Sequence, residues 1–288
     1  MIVMSGIALF CVGLLSGAVN SIAGGGGLIQ LPLLLLIVSI PGSGLVSDPN
    51  SALQSYFGAN KLASFAGALM AIREYGRSIA MPKTMIIGAC FGSTLGGLLG
   101  THTLLLMSNQ ILQPIVLLLM LFALGIVIYQ RRFGEHHHQH LTGYREVLAG
   151  IALGSLLGFY DGFFGPGTGS FLIVCFVMLF GYELLLATAC AKAVNVCSNG
   201  ASVLMFSITD SVPWHIVLYA ALPLAIGNVI GAVIGSRLAL RGGNIFIRHM
   251  LIVMILSALF LLTWRWYGTD ISRWLGGSHF FSSFFTTV

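Results

Sequence analysis

Charge is what this sequence has least of. Charged residues make up 7% of its 288 positions, against about 25% in an ordinary soluble domain. With 57% of the chain hydrophobic, eight acids and 13 Lys+Arg cannot cover a water-facing surface. The scarcity excludes an ordinary cytosolic enzyme, a nucleic-acid binder and a disordered scaffold. The net charge of +5 is no nucleic-acid footprint either, because no face or tail concentrates it. Cysteine is scarce and unpatterned: Cys11, Cys90, Cys175, Cys190 and Cys197 lie in apolar runs without a CxxC. They read as small membrane hydrophobes and imply neither a disulfide framework nor a zinc site. No glycine run is followed by Lys-Ser or Lys-Thr, so a P-loop is missing, and no strand precedes the runs to make a dinucleotide fingerprint. Histidines within the spans (His102, His215, His249) sit near their ends, which gives paired haem ligation little support. No nucleophile–base constellation stands out. The expectation is no cofactor, no metal and no enzyme.

What the chain has in abundance is apolar sequence of membrane-spanning length. A helix needs about 20 apolar residues to cross the hydrocarbon core. Such runs cover roughly 51–72, 84–107, 110–130, 185–207, 215–238 and 247–266. Two further regions differ. Residues 2–23 lead into Gly24-Gly25-Gly26-Gly27 and a short apolar piece before Pro41. Residues 147–164 lead into Gly165-Pro166-Gly167-Thr168-Gly169 and a short piece ending near Gly181. A piece of about 13 residues reaches only ~20 Å at 1.5 Å per residue. The short pieces are therefore half-helices, strongly tilted helices or arms of re-entrant hairpins. Ser21-Ile22-Ala23 has the form of a signal cleavage site. The missing basic n-region, and the recurrence of the pattern in the second half, argue against that use.

Loop charges set the orientation. Arg73, Arg77 and Lys83 mark one basic loop; Arg131, Arg132 and Arg145 a second; Arg237, Arg241 and Arg248 a third. All three are expected on the cytoplasmic side. The chain from Arg145 to Arg237 then crosses an even number of times, which requires 147–181 to make two crossings or a re-entrant hairpin. The loops around Asp48 and Asp210, and both termini, then face outside. Trp214, Trp264, Trp266 and Trp274 fall near span ends, where interfacial aromatics belong.

The two halves repeat each other. Gly13, Gly17, Asn20, Gly24 and Gly26 match Gly154, Gly158, Asp161, Gly165 and Gly167 at one constant offset. Lys61 and Pro82 match Lys192 and Pro213 at a second offset, and Gly92, Gly96 and Gly100 match Gly227, Gly231 and Gly235 at a third. This implies an all-α polytopic membrane protein of two inverted-topology repeats, each of about five segments. The first repeat covers 1–130, a cytoplasmic basic and His-rich linker 131–146, and the second repeat 147–288. His136, His137, His138 and His140 read as a solvated loop, since no cysteine or carboxylate cluster accompanies them.

Candidate site residues follow from this pattern. Gly24, Gly25, Gly26 and Gly27, with Gly165, Gly167, Thr168 and Gly169, expose backbone N–H groups at the start of a helix, which suits an anion. Tight turns between packed helices are the plainer reading. Lys61 and Lys192 are two of only three lysines, and both lie midway along apolar runs. A lysine at the bilayer centre costs ~2.5–3.5 kcal/mol on insertion scales. Asn195 and Asn199 share the face of Lys192; Gln54 and Ser64 share that of Lys61. Asn20 and Asp161 precede the glycine runs at equivalent positions. Asp161 either balances a lysine, carries a coupling proton, or caps the half-helix after it. The Gly88/92/96/100 and Gly227/231/235 stripes read as close helix packing.

These residues resemble the TauE/SafE sulfite-exporter family, including its YfcA-like members. The first half carries Gly17-Ala-Val-Asn20-Ser-Ile-Ala-Gly24-Gly-Gly-Gly27-Leu-Ile-Gln-Leu-Pro32 and then Asn60-Lys61-Leu62. The second carries Gly158-Phe-Tyr-Asp161-Gly-Phe-Phe-Gly165-Pro-Gly167-Thr-Gly169, then Lys192, Asn195 and Asn199. Gly58-Ala59 stands where the family usually has Ala-Thr. The similarity runs from about residue 6 to 265. It implies a secondary carrier in a plasma or bacterial inner membrane, usually an exporter, for sulfite, an organosulfonate or another small anion. On that reading the lysines supply charge, the glycine backbones supply N–H groups, and Asn20, Asn60, Asn195 and Asn199 orient the anion. Its partners would be a small sulfur anion, the lipid bilayer and coupled protons. A homodimer is an allowed assembly. Rival readings are a passive anion channel and a membrane subunit that moves nothing.

Overall fold

A computed structural model describes residues 2–38, 49–106, 141, 143–209 and 214–274. Among these, eight helices follow in order: α1 (Ile2–Ala23), α2 (Gly26–Val38), α3 (Pro49–Gly76), α4 (Lys83–Leu106), α5 (Tyr144–Phe163), α6 (Thr168–Phe180), α7 (Leu184–Ile208) and α8 (Trp214–Trp274). Among the described residues four segments are long and apolar enough to cross a bilayer: Gly6–Ala23, Lys83–Leu106, Tyr144–Phe163 and Leu218–Ile247. The expected runs 51–72, 84–107 and 185–207 appear as α3, α4 and α7. The runs at 215–238 and 247–266 lie in α8, which is two helices meeting at a kink at Gly243 (φ 62°, ψ −161°). A turn at a single left-handed glycine replaces the loop that the basic residues there suggested. The run 110–130 and the histidine tract lie outside the described residues.

The lipid-facing surface is apolar. Ile87, Phe91, Leu95 and Leu99 form an exposed row on α4, and Leu222, Ile226, Ile230, Ile234 and Leu238 form another on α8. Such continuous apolar stripes require a non-aqueous surround.

Inside, backbone approach replaces side-chain interdigitation. A Cβ at Gly13 or Gly17 of α1 would come under 3.0 Å from the carbonyl oxygen of Leu224 or Asn228 in α8. Gly227, Gly231 and Gly235 press back on the carbonyls of Phe10, Leu14 and Ala18. The same arrangement joins α4 to α5. Gly154 and Gly158 meet the carbonyls of Ala89 and Ser93, and Gly92, Gly96 and Gly100 those of Ile151, Ser155 and Phe159. Each contact in one pair maps onto its counterpart in the other by the offsets of the sequence repeat. Small residues at these positions let helices approach where no hydrophobic effect between them operates.

The contact registers give helix directions. In α1/α8 and α4/α5 the residue numbers rise together, so each pair is parallel. Ser93 to Val194 and Thr101 to Ser202 make α4 and α7 parallel as well. Phe65 packs on Gly200, whereas Tyr75 of α3 and Lys192 of α7 both reach the end of α1, at Ser21 and Asn20. Hence α3 and α7 run antiparallel.

Both glycine-linked pairs are helical hairpins. Gly24 (φ 76°) ends α1, and the Ser16 hydroxyl donates back across the hairpin to Gln30 Oε1 of α2 at 2.6 Å. Gly165 (φ 92°) and Gly167 (φ 86°) reverse the chain between α5 and α6. Beyond α6, the Tyr182 hydroxyl bonds Glu146 near the start of α5. The segment 147–181 therefore returns to the end from which it entered. Each short piece, α2 and α6, folds back as the second arm of a helical hairpin. The Ser21-Ile22-Ala23 site lies in α1 at its contact with the rest of the protein, with Ala23 fully buried.

Candidate functional site

The two hairpin tips meet in the interior. A Cβ on Gly169 would lie 2.6 Å from Gly24 Cα, so the two backbones touch. Gly27 faces Pro166 Cα, and the Ser170 hydroxyl donates to the Ala23 carbonyl at 2.7 Å. Left-handed φ at Gly24 and Gly165 is what lets each chain reverse this tightly.

Each lysine crosses to the tip of the other half. Lys61, on α3, is 1% exposed and donates to Asp161 Oδ1 at 3.1 Å and to the Asp161 carbonyl. Lys192, on α7, is fully buried and donates to the Asn20 carbonyl. Equivalent lysines thus bind equivalent carbonyls. Only Lys61 also gains a carboxylate. Gly165 stands so near Lys61 that a Cβ there would lie 2.8 Å from Nζ. The other carboxylate oxygen of Asp161 accepts from the Ser198 hydroxyl. Among the described residues Lys61–Asp161 is the single buried ion pair, and Lys192 contacts no carboxylate.

Several polar groups at this centre have no partner among the described residues. Asn60 Oδ1 and Asn195 Oδ1 accept no hydrogen bond, though these residues are 3% and 4% exposed. The N–H groups of the buried Gly25, Gly167 and Gly169 enter none of the backbone turn and loop hydrogen bonds among the described residues. Buried polar groups are normally paired, so each of these atoms is an exception to the rule.

Other expected site residues have more local duties. The Thr168 hydroxyl donates to the Gly165 carbonyl at 2.7 Å, closing the α6 turn. Gly26 packs within its own hairpin, against the Ser16 carbonyl and Asn20 Cβ. Asn199 Nδ2 bonds the Asn195 carbonyl in its own helix at 2.7 Å. Asn20 takes part through its backbone carbonyl, which also receives the Gly24 N–H. The Gln54 side chain lies outside the described ones. Sequence reasoning missed Ser198, and a buried cluster in which Gln30 Oε1 accepts from Ser16 and from Asn228 Nδ2 at 2.8 Å. Gln30 and Asn228 were findable as lone amides in otherwise apolar helices. No group of three or more His, Cys, Asp or Glu residues that could hold a metal occurs among the described residues.

The family described as "Sulfite exporter TauE/SafE" matches residues 9–261 of the chain. The chain belongs to the TauE/SafE family. Among relatives of this TauE/SafE member, a "Probable membrane transporter protein" of Haemophilus influenzae is 33% identical over 247 residues, covering 85% of this chain and 89% of its own. "Probable membrane transporter protein YfcA" of Escherichia coli K12 is 34% identical over 272 residues, covering 93% of each chain. "Probable membrane transporter protein YunE" of Bacillus subtilis is 23% identical, covering 87% of this chain and 96% of its own. No solved structure matches the chain. TauE/SafE membership and the apolar spans together make this a multi-pass transporter of the cell membrane.

Proposed function

We propose that this protein is a secondary carrier, in the export direction, for a small anion such as sulfite or an organosulfonate. The observation that carries the reading is the full burial of Lys192 with no carboxylate in contact among the described residues. A cation in a low-dielectric interior is tolerated when an opposite charge joins it, and an anionic cargo supplies one. On this reading the glycine N–H groups of the hairpin tips add donors, and Asn20, Asn60, Asn195 and Asn199 orient the anion; the unpartnered Oδ1 of Asn60 and of Asn195 supports that role. The family description, "Sulfite exporter TauE/SafE", supports the sulfur-anion class.

Halves 1–130 and 147–288 act on this reading as an inverted-topology repeat. The antiparallel α3 and α7, and the exchanged pairs α1/α8 and α4/α5, support that assignment. Rocking of one half against the other opens the site to each side in turn. Asp161 is the coupling candidate on this reading, as the carboxylate paired with Lys61. No residue constellation here calls for a chemical step on the cargo, so we assign no enzymatic activity.

The test is sulfite flux in proteoliposomes with and without an imposed pH gradient. Gradient-dependent flux is expected. Flux that only follows the sulfite concentration difference would mark a passive channel. No flux of sulfite, sulfoacetate or sulfate would overturn the sulfur-anion assignment.

A further inference from the structure

We propose that Asp161 is a built-in counter-anion and that the cargo is a single monovalent oxyanion held at Lys192. The anion would sit beside Lys192 at the α1–α2 tip and supply there the negative charge that the Asp161 carboxylate supplies to Lys61 at the α5–α6 tip. The inference rests on the carrier reading above and sharpens it.

The argument starts from equivalence. Lys61 and Lys192 hold matching positions, and so do Asp161 and Asn20. Both lysines donate to the backbone carbonyl of the other half's Asp161 or Asn20. The geometry therefore repeats while the charge does not. At Lys61 a carboxylate completes the site, held by Nζ and by the Ser198 hydroxyl. At Lys192 the matching residue is a neutral amide, and Gly67 stands at the position matching Ser198. The carboxylate is thus missing on one side only.

Charge fixes the valence. Asp161 pairs with Lys61 and meets no contact from Lys192, so with both lysines protonated the three side chains carry a single net positive charge. A monoanion neutralises that cluster, whereas a dianion leaves it negative in a low-dielectric interior. The unpartnered groups fit the same ligand. Gly25 offers an N–H to an anionic oxygen. Asn195, one turn along α7 from Lys192, offers an unpartnered Oδ1 to a hydrogen carried by the ligand. A protonated oxyanion of the hydrogensulfite type supplies both.

The experiment measures equilibrium binding to the purified full chain in lipid nanodiscs. The probes are hydrogensulfite, methanesulfonate and sulfate. Wild type is expected to bind one equivalent of hydrogensulfite, less tightly as pH rises and sulfite becomes a dianion. Methanesulfonate should compete and sulfate should not. Asn20→Asp, which would place a carboxylate at Lys192, should weaken binding by at least about tenfold. Asp161→Asn, which would leave Lys61 uncompensated, should add a second equivalent and stands in if Asn20→Asp fails to fold. Unchanged binding by Asn20→Asp, effective competition by sulfate, or a single equivalent in Asp161→Asn would overturn the inference. Wild type binding none of the probes would overturn it too. Binding without proteoliposome flux leaves the inference standing and removes the carrier reading. Unimpaired flux in Asn20→Asp does the reverse.

Discussion

Lys61 Nζ lies 3.1 Å from Asp161 Oδ1 and joins helix α3 to the tip of α5, with both side chains almost wholly excluded from solvent. Breaking such a pair from one side leaves a lone buried charge, at a cost of about 3–5 kcal/mol. Lys61→Met and Asp161→Asn should each lower stability by that order in thermal unfolding in detergent. The double variant should recover much of the loss. A double variant as unstable as the two losses combined would show that the groups do not act as a pair.

Ser198 is the second support of the same carboxylate. Ser198→Ala removes the hydroxyl that donates to Asp161 Oδ2 and leaves that oxygen unpaired. A loss of about 1–3 kcal/mol is expected, read as a fall in Tm. In the Asp161→Asn background the same substitution should cost much less.

Helix packing gives an independent test. At Gly96 and Gly231 a new methyl would strike the Ser155 and Leu14 carbonyls, so backbones rather than flexible side chains must move. Gly96→Ala and Gly231→Ala should each destabilise by about 1–3 kcal/mol. Gly6→Ala, where a Cβ meets nothing within 4 Å, should be tolerated. Monodispersity and Tm after extraction separate the three.

Much of this packing was legible in the sequence. Glycines four apart on one apolar run leave a helix nothing to offer but its backbone, so close approach followed. The lysines were legible for a related reason: a buried charge is expensive enough to require a purpose. The partners were not. Nothing in the spacing of Lys61 distinguishes the Asp161 carboxylate from a glycine N–H as its destination, because the contact spans 100 residues. Gln30 and Asn228 escaped for the same reason, since each looks incidental until the other half is folded against it. The local bonds of Thr168 and Asn199 were not legible either: short hydroxyl and amide side chains often reach their own helix first.

At the basic end of the bundle, Glu74 of α3 accepts from Arg237 of α8 at 3.0 Å and from Arg77 at 3.3 Å. The Arg237 hydrogen bond, with the neighbouring arginine charges, holds the Glu74 carboxyl below the usual glutamate range. A depressed carboxyl stabilises the fold above its unfolded value of about 4.3 and loses that contribution as pH falls through its folded value. Tm should therefore decline on acidification below that point, and less steeply in Glu74→Gln. The difference should be small and shrink with salt, because Arg237 is 59% exposed. Equal slopes in both proteins would remove Glu74 from the account.

The central claim is that Lys192 carries the anion across the membrane, and the most direct measurement is sulfite flux through proteoliposomes containing Lys192→Met beside wild type. The account predicts that flux falls to the level of empty vesicles while the variant stays folded, since it removes a buried lysine that contacts no carboxylate rather than one member of an ion pair. Wild-type flux through a folded Lys192→Met protein would contradict it.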